Sequence, residues 1–183
     1  MRIRHADPTR DAFACAAIYA PFVRDSAISF EEVVPDEREL RERIERVSLT
    51  HPWLVAEDEC GVTGFAYAAQ HHERAAYRWS TDVAVYVDAA HHRRGIGRAL
   101  YEALFRLLIR QRFHVACAGV TLPNRASVAL HEALGFRPVG VYRRVGWKRG
   151  SWWDVGWWQL QLIEPGPGAP AEPGPPARLD AAT

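Results

Sequence analysis

Asp82, His131 and the run "HHRRGIGR", His91 to Arg98, carry the groups in this chain that could do chemistry. A carboxylate and an imidazole are general acid and base groups. The run offers something different: bare backbone and positive charge where an apolar helix begins. First-turn amides of a helix have no intrahelical partners, and they carry the positive end of the helix dipole. Gly95 and Gly97 let a ligand approach that backbone with no Cβ in the way, and Arg93, Arg94 and Arg98 add charge. The chemistry this suits is capture of a pyrophosphate. No G-x-x-x-x-G-K-[ST] is present, and no G-x-G-x-x-G with an acidic residue about twenty positions on. Each group also has a plain structural reading. The loop alone fits a helix start with solvated arginines, Asp82 a strand-edge carboxylate beside an arginine, and His131 a half-buried helix histidine.

The surrounding pattern says what must position these groups. "RWSTDVAVYV" alternates, so Val83, Val85 and Val87 face one way and Asp82, Ala84 and Tyr86 the other. The glycine loop follows, then a helix from about Ile96 to Gln111 with Ile96, Leu100, Leu104, Leu107 and Leu108 on its apolar face. "HVACAGVT" reads as a strand, and Asn124 as the N-cap of "RASVALHEALG", which Gly135 ends. That places His131 two turns past Asn124 on one helix.

Upstream, "RIRHA" reads as a first strand. A helix over "DPTRDAFACAAIYAPFV" carries Phe13, Ala17, Ile18 and Phe22 at helical spacing. "SAISFEE" is extended. Asp36 opens a second helix with Glu39 three residues on and Leu40, Ile44 and Val47 as its stripe. "PWLVAE" and "GVTGFAYAAQ" form a hairpin across "DECG", and "FRPVGVYRRVGW" and "WWDVGWWQLQL" form another. The order is β-α-α-β-β-β-α-β-α-β-β, an α/β chain with a mixed sheet flanked by helices.

The 183 residues suit one domain, and a net charge of +1 gives no basic field for nucleic acid. No run is long and apolar enough for a membrane helix and no signal-peptide pattern opens the chain, so a cytoplasmic protein is expected. Cys15, Cys60 and Cys117 read as reduced thiols. His71-His72 and His91-His92 lack matching partners for an ion, so no metal is expected. The domain is about 1–163, and 164–183 is a Pro/Gly/Ala-rich segment expected to be disordered. Trp153 and Trp157 are candidates to pack against a second subunit.

"HHRRGIG" followed by "NRASVALHEALGF" resembles the GNAT superfamily of acyl-CoA-dependent N-acetyltransferases. "SAISF", "HPWLVAE", "AYRWSTDVAVYV", "LPNRASVALHEALGF" and "WKRGSWWDVGWWQLQL" are similar, more narrowly, to the phosphinothricin acetyltransferase family. The resemblance implies a mixed, mostly antiparallel sheet with a central splayed strand pair. It implies acetyl-CoA as co-substrate, held by His92, Arg93, Arg94, Gly95, Ile96, Gly97 and Arg98 with Asn124 and Ser127. Val85, Tyr86 and Val87 would meet the thioester and pantetheine. Asp82 falls where the family has a catalytic glutamate and would act through a bridging water. His131 falls where many GNAT enzymes have a tyrosine acid, and would donate to the leaving sulfur or relay a proton. Phe30, Arg74, Ala76 and Tyr77 would meet a small amino acid such as phosphinothricin, methionine sulfoximine or methionine sulfone. A homodimer is implied too. Four positions depart from the pattern: His92 for Gln or Arg, Asp82 for Glu, and His71-His72 for Trp-Lys. The alternative is an acyl-CoA-binding regulatory sensor, which would have no reason to keep Asp82, Tyr86 and His131.

Overall fold

Three acidic or amide side chains start helices by accepting otherwise unpartnered backbone amides. In the structure, a computed structural model describing residues 1–176 and Leu179, Asp7 caps α1 (Pro8–Arg24), Asp36 caps α2 (Glu37–Ser48) and Asn124 caps α4 (Arg125–Ala133). Helix α3 (Ile96–Arg110) has only Gly95 before it, with no side chain to cap it. The strands are β1 (Arg2–His5), β2 (Trp53–Asp58), β3 (Gly61–Gln70), β4 (Ser80–Val87), β5 (Val115–Leu122), β6 (Arg137–Lys148) and β7 (Ser151–Gln161). The element order is the one the sequence predicts. "SAISFEE" carries no strand hydrogen bonding.

The sheet runs β1-β2-β3-β4-β5-β7-β6, and every neighbouring pair is antiparallel except β4 and β5. That one parallel pair needs a crossover, which α3 supplies. Helix α3 buries Ile96, Leu100, Leu104, Leu107 and Leu108 against Leu54, Ala66, Ala68 and Val83 on one face of the sheet. Helices α1 and α2 cover the other face with Cys15, Tyr19, Leu40 and Ile44 against Trp53, Val55 and Phe65. The α1 stripe is displaced from the expected one. Phe13 is 70% exposed and Ala17 is also exposed, while Ala12, Cys15, Ala16, Ile18, Tyr19 and Val23 face the sheet. Small Ala and Cys side chains let the helix lie close to the strands, and the larger Phe13 is turned outward.

Residues 164–176 form no helix or strand. Within them, Gly174 N–H donates to Gln111 O (2.8 Å), Ala171 O accepts from Trp79 Nε1 (3.0 Å) and Glu172 pairs with Arg78 (2.6 Å). The rest of the segment expected to be disordered, 177, 178 and 180–183, lies outside the described residues. No helix among the described residues is long and apolar enough to cross a membrane.

Candidate active site

Strands β4 and β5 part company just past Asp82. Only Ser80, Thr81 and Asp82 pair with Val115, Ala116 and Cys117; from Val83 onward the two strands diverge. The parting leaves a narrow slot of about 70 Å³ lined by Val83, Ala84, Val85 and Tyr86 on one side, Gly119, Val120 and Thr121 on the other, and Tyr101, Asn124, Ser127 and His131. Strand β4 keeps β3 on its far side, from Gly64–Val87 to Gln70–Thr81. Among the described residues, its edge toward the slot has no strand partner beyond Asp82.

The glycine loop stands at the end of β4. Arg93 (φ 61°) and Gly95 (φ 77°) are both left-handed, with Arg94 between them at negative φ. Such alternation turns successive N–H groups toward one side, a concavity that takes anions. A Cβ on Gly95 would meet nothing within 4 Å, so this backbone is open to a ligand. The loop's side chains divide. Arg93 and Arg94 are exposed with no ion pair among the described residues. Arg98 is committed elsewhere, to Glu102 (3.1 Å) and Ala133 O (3.0 Å), and Ile96 is buried, so these two offer only their backbone amides. His92 hydrogen-bonds Val87 O through Nε2 (3.0 Å) and pins the loop to the end of β4.

His131 is buried at 3% exposure. Its Nδ1 meets Ser127 O at 2.8 Å and its Nε2 meets the Tyr101 hydroxyl at 3.1 Å. Burial holds its pKa below the ordinary histidine value, opposed by the Ser127 bond. Asn124 spends its side chain on Ser127 N (3.1 Å) while still lining the slot.

Asp82 lies at the closed end of the slot, flanked in register by Ala69 on β3 and Cys117 on β5. Its Oδ1 meets His71 Nδ1 at 2.7 Å. Burial raises the Asp82 pKa above the usual carboxylate value, and His71 and His72 pull it back. Ligand-capable atoms of His71, Asp82 and Cys117 all lie within 4.8 Å of one another.

The residues expected to meet a substrate stand on two separate segments. Arg74 and Ala76 are exposed on the loop around the short 3-10 turn Ala75–Tyr77, with no ion pair at Arg74 among the described residues. The Tyr77 ring packs against His71 (5.9 Å between centroids) and His72 (4.8 Å). Phe30 lies across β6, where a Cβ on Gly146 would come within 2.1 Å of its ring. Three functional neighbours were not legible as such. The sequence pattern marks His71 only as a metal candidate and a departure from the family pattern, and gives Tyr101 no role. Lys148 is buried and donates to the carbonyls of Val23 (2.6 Å), Ser29 (2.6 Å) and Glu31 (2.7 Å), holding the loop that carries Phe30. A period-2 pattern could place His71 beside Asp82, since it stands two residues past Ala69, the β3 partner of Asp82.

A mixed sheet split at one parallel pair, with a glycine-opened helix beside the split, defines an acyltransferase fold. The chain belongs to the GNAT acetyltransferase family, on its phosphinothricin acetyltransferase branch: the family profile for an acetyltransferase (GNAT) domain matches residues 4–157. It is 39% identical to the phosphinothricin N-acetyltransferase of Streptomyces viridochromogenes over 163 residues, 89% of each chain. It is 36% identical over 165 residues to the L-methionine sulfoximine/L-methionine sulfone acetyltransferase of Salmonella typhimurium, covering 90% of this chain and 96% of that one. A phosphinothricin acetyltransferase from Sinorhizobium meliloti, solved in complex with acetyl-CoA, superposes with a TM-score of 0.88 at 32% identity over 93% of each chain.

Proposed function

We propose that this enzyme moves the acetyl group of acetyl-CoA to the α-amine of a small amino acid of the phosphinothricin, methionine sulfoximine or methionine sulfone kind. The observation that carries this reading is the parting of β4 from β5 beside the Gly95 helix start, with Asp82 at the closed end. The amides of Gly95, Ile96, Gly97 and Arg98 would hold the pyrophosphate, with Arg93 and Arg94 as mobile counter-charges. The free edge of β4 at Val85, Tyr86 and Val87 would line the pantetheine, with Asn124 and Ser127 opposite. Bound acetyl-CoA supplies the thioester carbonyl; the β4 amides are the donors for its developing oxyanion.

The Asp82 carboxylate, with the His71 imidazole bonded to it, serves to remove the proton of the substrate ammonium through a bridging water, since an amine attacks only as the free base. His131 serves as a relay toward the leaving sulfur. Its one N–H is spent on Ser127 O, so Nε2 must accept a proton before it can pass one on. Arg74 holds the substrate carboxylate by a two-pronged pair, between Phe30, Ala76 and Tyr77. These groups lie between residues 30 and 131, so the catalytic unit is 1–163 and the segment from 164 supplies none of it. Three unpaired cysteines fit a reducing compartment, the cytoplasm. A homodimer fits the open face of the β6–β7 hairpin, where Trp147, Trp152 and Val141 are exposed.

The test is release of the coenzyme A thiol with phosphinothricin, methionine sulfoximine, methionine sulfone, ordinary amino acids and spermidine as acceptors. Turnover of the first three is expected. Turnover of none would favour the sensor, and turnover of spermidine alone would overturn the acceptor class.

A further inference from the structure

We infer that the proton leaving the substrate amine ends on Nε2 of His71, with Asp82 as the carboxylate that orients this imidazole and balances its charge. The inference rests on the acetyltransferase reading above and specifies its base. The geometry begins in the sheet register. Ala69 faces Asp82 across β3 and β4, and His71, two residues on, shares that face and leans diagonally onto the carboxylate. The contact is short, 2.7 Å from Nδ1 to Oδ1. An ionised carboxylate can only accept, so Nδ1 carries the proton and Nε2 is left as the acceptor.

The surroundings favour the imidazole as the receiving group. An imidazole both takes up and releases a proton readily near neutral pH, and the short contact commits Asp82 Oδ1 to the Nδ1 side of the ring. His71 is held by Tyr77, His72 (ring centroids 4.2 Å) and Trp157 (6.2 Å), and its side chain keeps 17% exposure. It is therefore fixed yet reachable from the loop bearing Arg74. The titratable groups facing it are Asp82 on β4, Cys117 on β5, and His72 and Tyr77 on its own loop. Cys117 is no competitor: burial, reinforced by Asp82, pushes its thiol up to about 11, so it stays protonated.

The step balances. An N–H bond of the substrate ammonium breaks and its proton passes, through one water, to Nε2, giving an imidazolium paired with Asp82. The freed nitrogen lone pair forms the C–N bond to the acetyl carbon. The C–S bond breaks with its electron pair staying on sulfur, and the second nitrogen proton passes to that sulfur to give the free thiol. The imidazolium then returns its proton to solvent.

The test uses the full chain and whichever acceptor the wild type turns over. His71→Gln keeps an N–H for Asp82 but cannot take a proton. We expect kcat to fall about 10²-fold, within the usual range for loss of a general base, with melting temperature and acetyl-CoA affinity by calorimetry unchanged. The rising limb of kcat/KM against pH should move to alkaline values, where the amine loses its proton unaided. Added imidazole should restore part of the rate to His71→Ala. A His71→Gln enzyme with wild-type rate and an unmoved limb overturns the inference and leaves Asp82 as the base. A wild type that binds acetyl-CoA but acetylates no acceptor overturns the proposed function, and this inference with it.

Discussion

A backbone carbonyl only accepts hydrogen bonds, so the contact of His131 with Ser127 O fixes its proton on Nδ1 and makes Nε2 the acceptor from Tyr101. The imidazole is neutral and buried, with both nitrogens engaged, and burial lowers its pKa. That direction gives a stability prediction. A histidine whose folded pKa is depressed below the unfolded value near 6.5 binds fewer protons folded than unfolded in the window beneath it. Its stabilising contribution is full above about pH 6.5 and is lost as pH falls toward the folded value. Substituting His131→Gln should cost about 1–3 kcal/mol at pH 7.5 from the broken buried hydrogen bonds. Urea unfolding at pH 5 should show a smaller cost, because the wild type has by then lost part of its advantage. An equal cost at both pH values would mean that folding does not depress the pKa of this imidazole. At this scale the sequence was legible where chemistry and position coincide: the loop glycines, Asp82, His131 and the Asn124 cap all stand near the slot. It was not legible for Tyr101 and His71, whose importance comes from a partner 30 and 11 residues away respectively. Nor did it show that Arg98 turns to Glu102 and Ala133 O, a choice made by helix α4 packing alongside.

Between elements, two short segments do most of the positioning. Gly95 holds φ 77°, a conformation that costs an L residue roughly 1–2 kcal/mol. Gly95→Ala meets no protein atom within 4 Å, so its cost to folding should stay within that strain. The added methyl points into the space open to a ligand, so coenzyme A affinity by calorimetry should fall by about tenfold or more. Loss of melting temperature with unchanged affinity would show that the amides do not touch the ligand. The second segment is the α1–α2 connection with Phe30, tied by Lys148. An ammonium has three donors, and here three carbonyls take them. Lys148→Met leaves those carbonyls unpaired in a buried site and should cost roughly 3 kcal/mol in chemical denaturation. It should raise KM for the amine while leaving that for acetyl-CoA nearly unchanged, since the tie lies on the Phe30 side of the sheet. The sequence reads as helix over α1 and places Ile18 and Phe22 correctly, but wrongly turns Phe13 and Ala17 inward. Five alanines and Cys15 lie among its apolar residues, and hydrophobicity alone ranks Phe13 above them, whereas close packing on the sheet selects the small side chains.

In the whole molecule, the β6–β7 hairpin at the sheet edge presents exposed apolar side chains. The doublets Trp152-Trp153 and Trp157-Trp158 put one indole on each face of β7, so alternation cannot tell which face is open. Trp153 is half-buried with Nε1 on Lys148 O (2.9 Å), and Trp157 is half-buried near His71 and Tyr142. The exposed pair is instead Trp147 (56%) and Trp152 (58%), facing each other in register with rings 5.4 Å apart. Gly146 and Lys148 turn toward Phe30 and the α1–α2 connection, so Trp147 between them turns away. Val139, Val141, Tyr142 and Val145 are exposed on the same strand. Strand β6 is also an edge of the sheet, and a long, apolar, exposed edge invites association. Its ladder shifts between Pro138 and Gly140 and between Tyr142 and Gly146, and such bulges hinder strand addition. Side chains rather than backbone should therefore make the contact. Sedimentation equilibrium at micromolar concentration should give twice the 20.6 kDa chain mass for the wild type. The double variant Trp147→Lys/Trp152→Lys should give the monomer mass with its circular dichroism and coenzyme A binding intact, because neither indole reaches the slot. A wild type that sediments as a monomer, or a double variant that stays dimeric, would exclude this face as the interface.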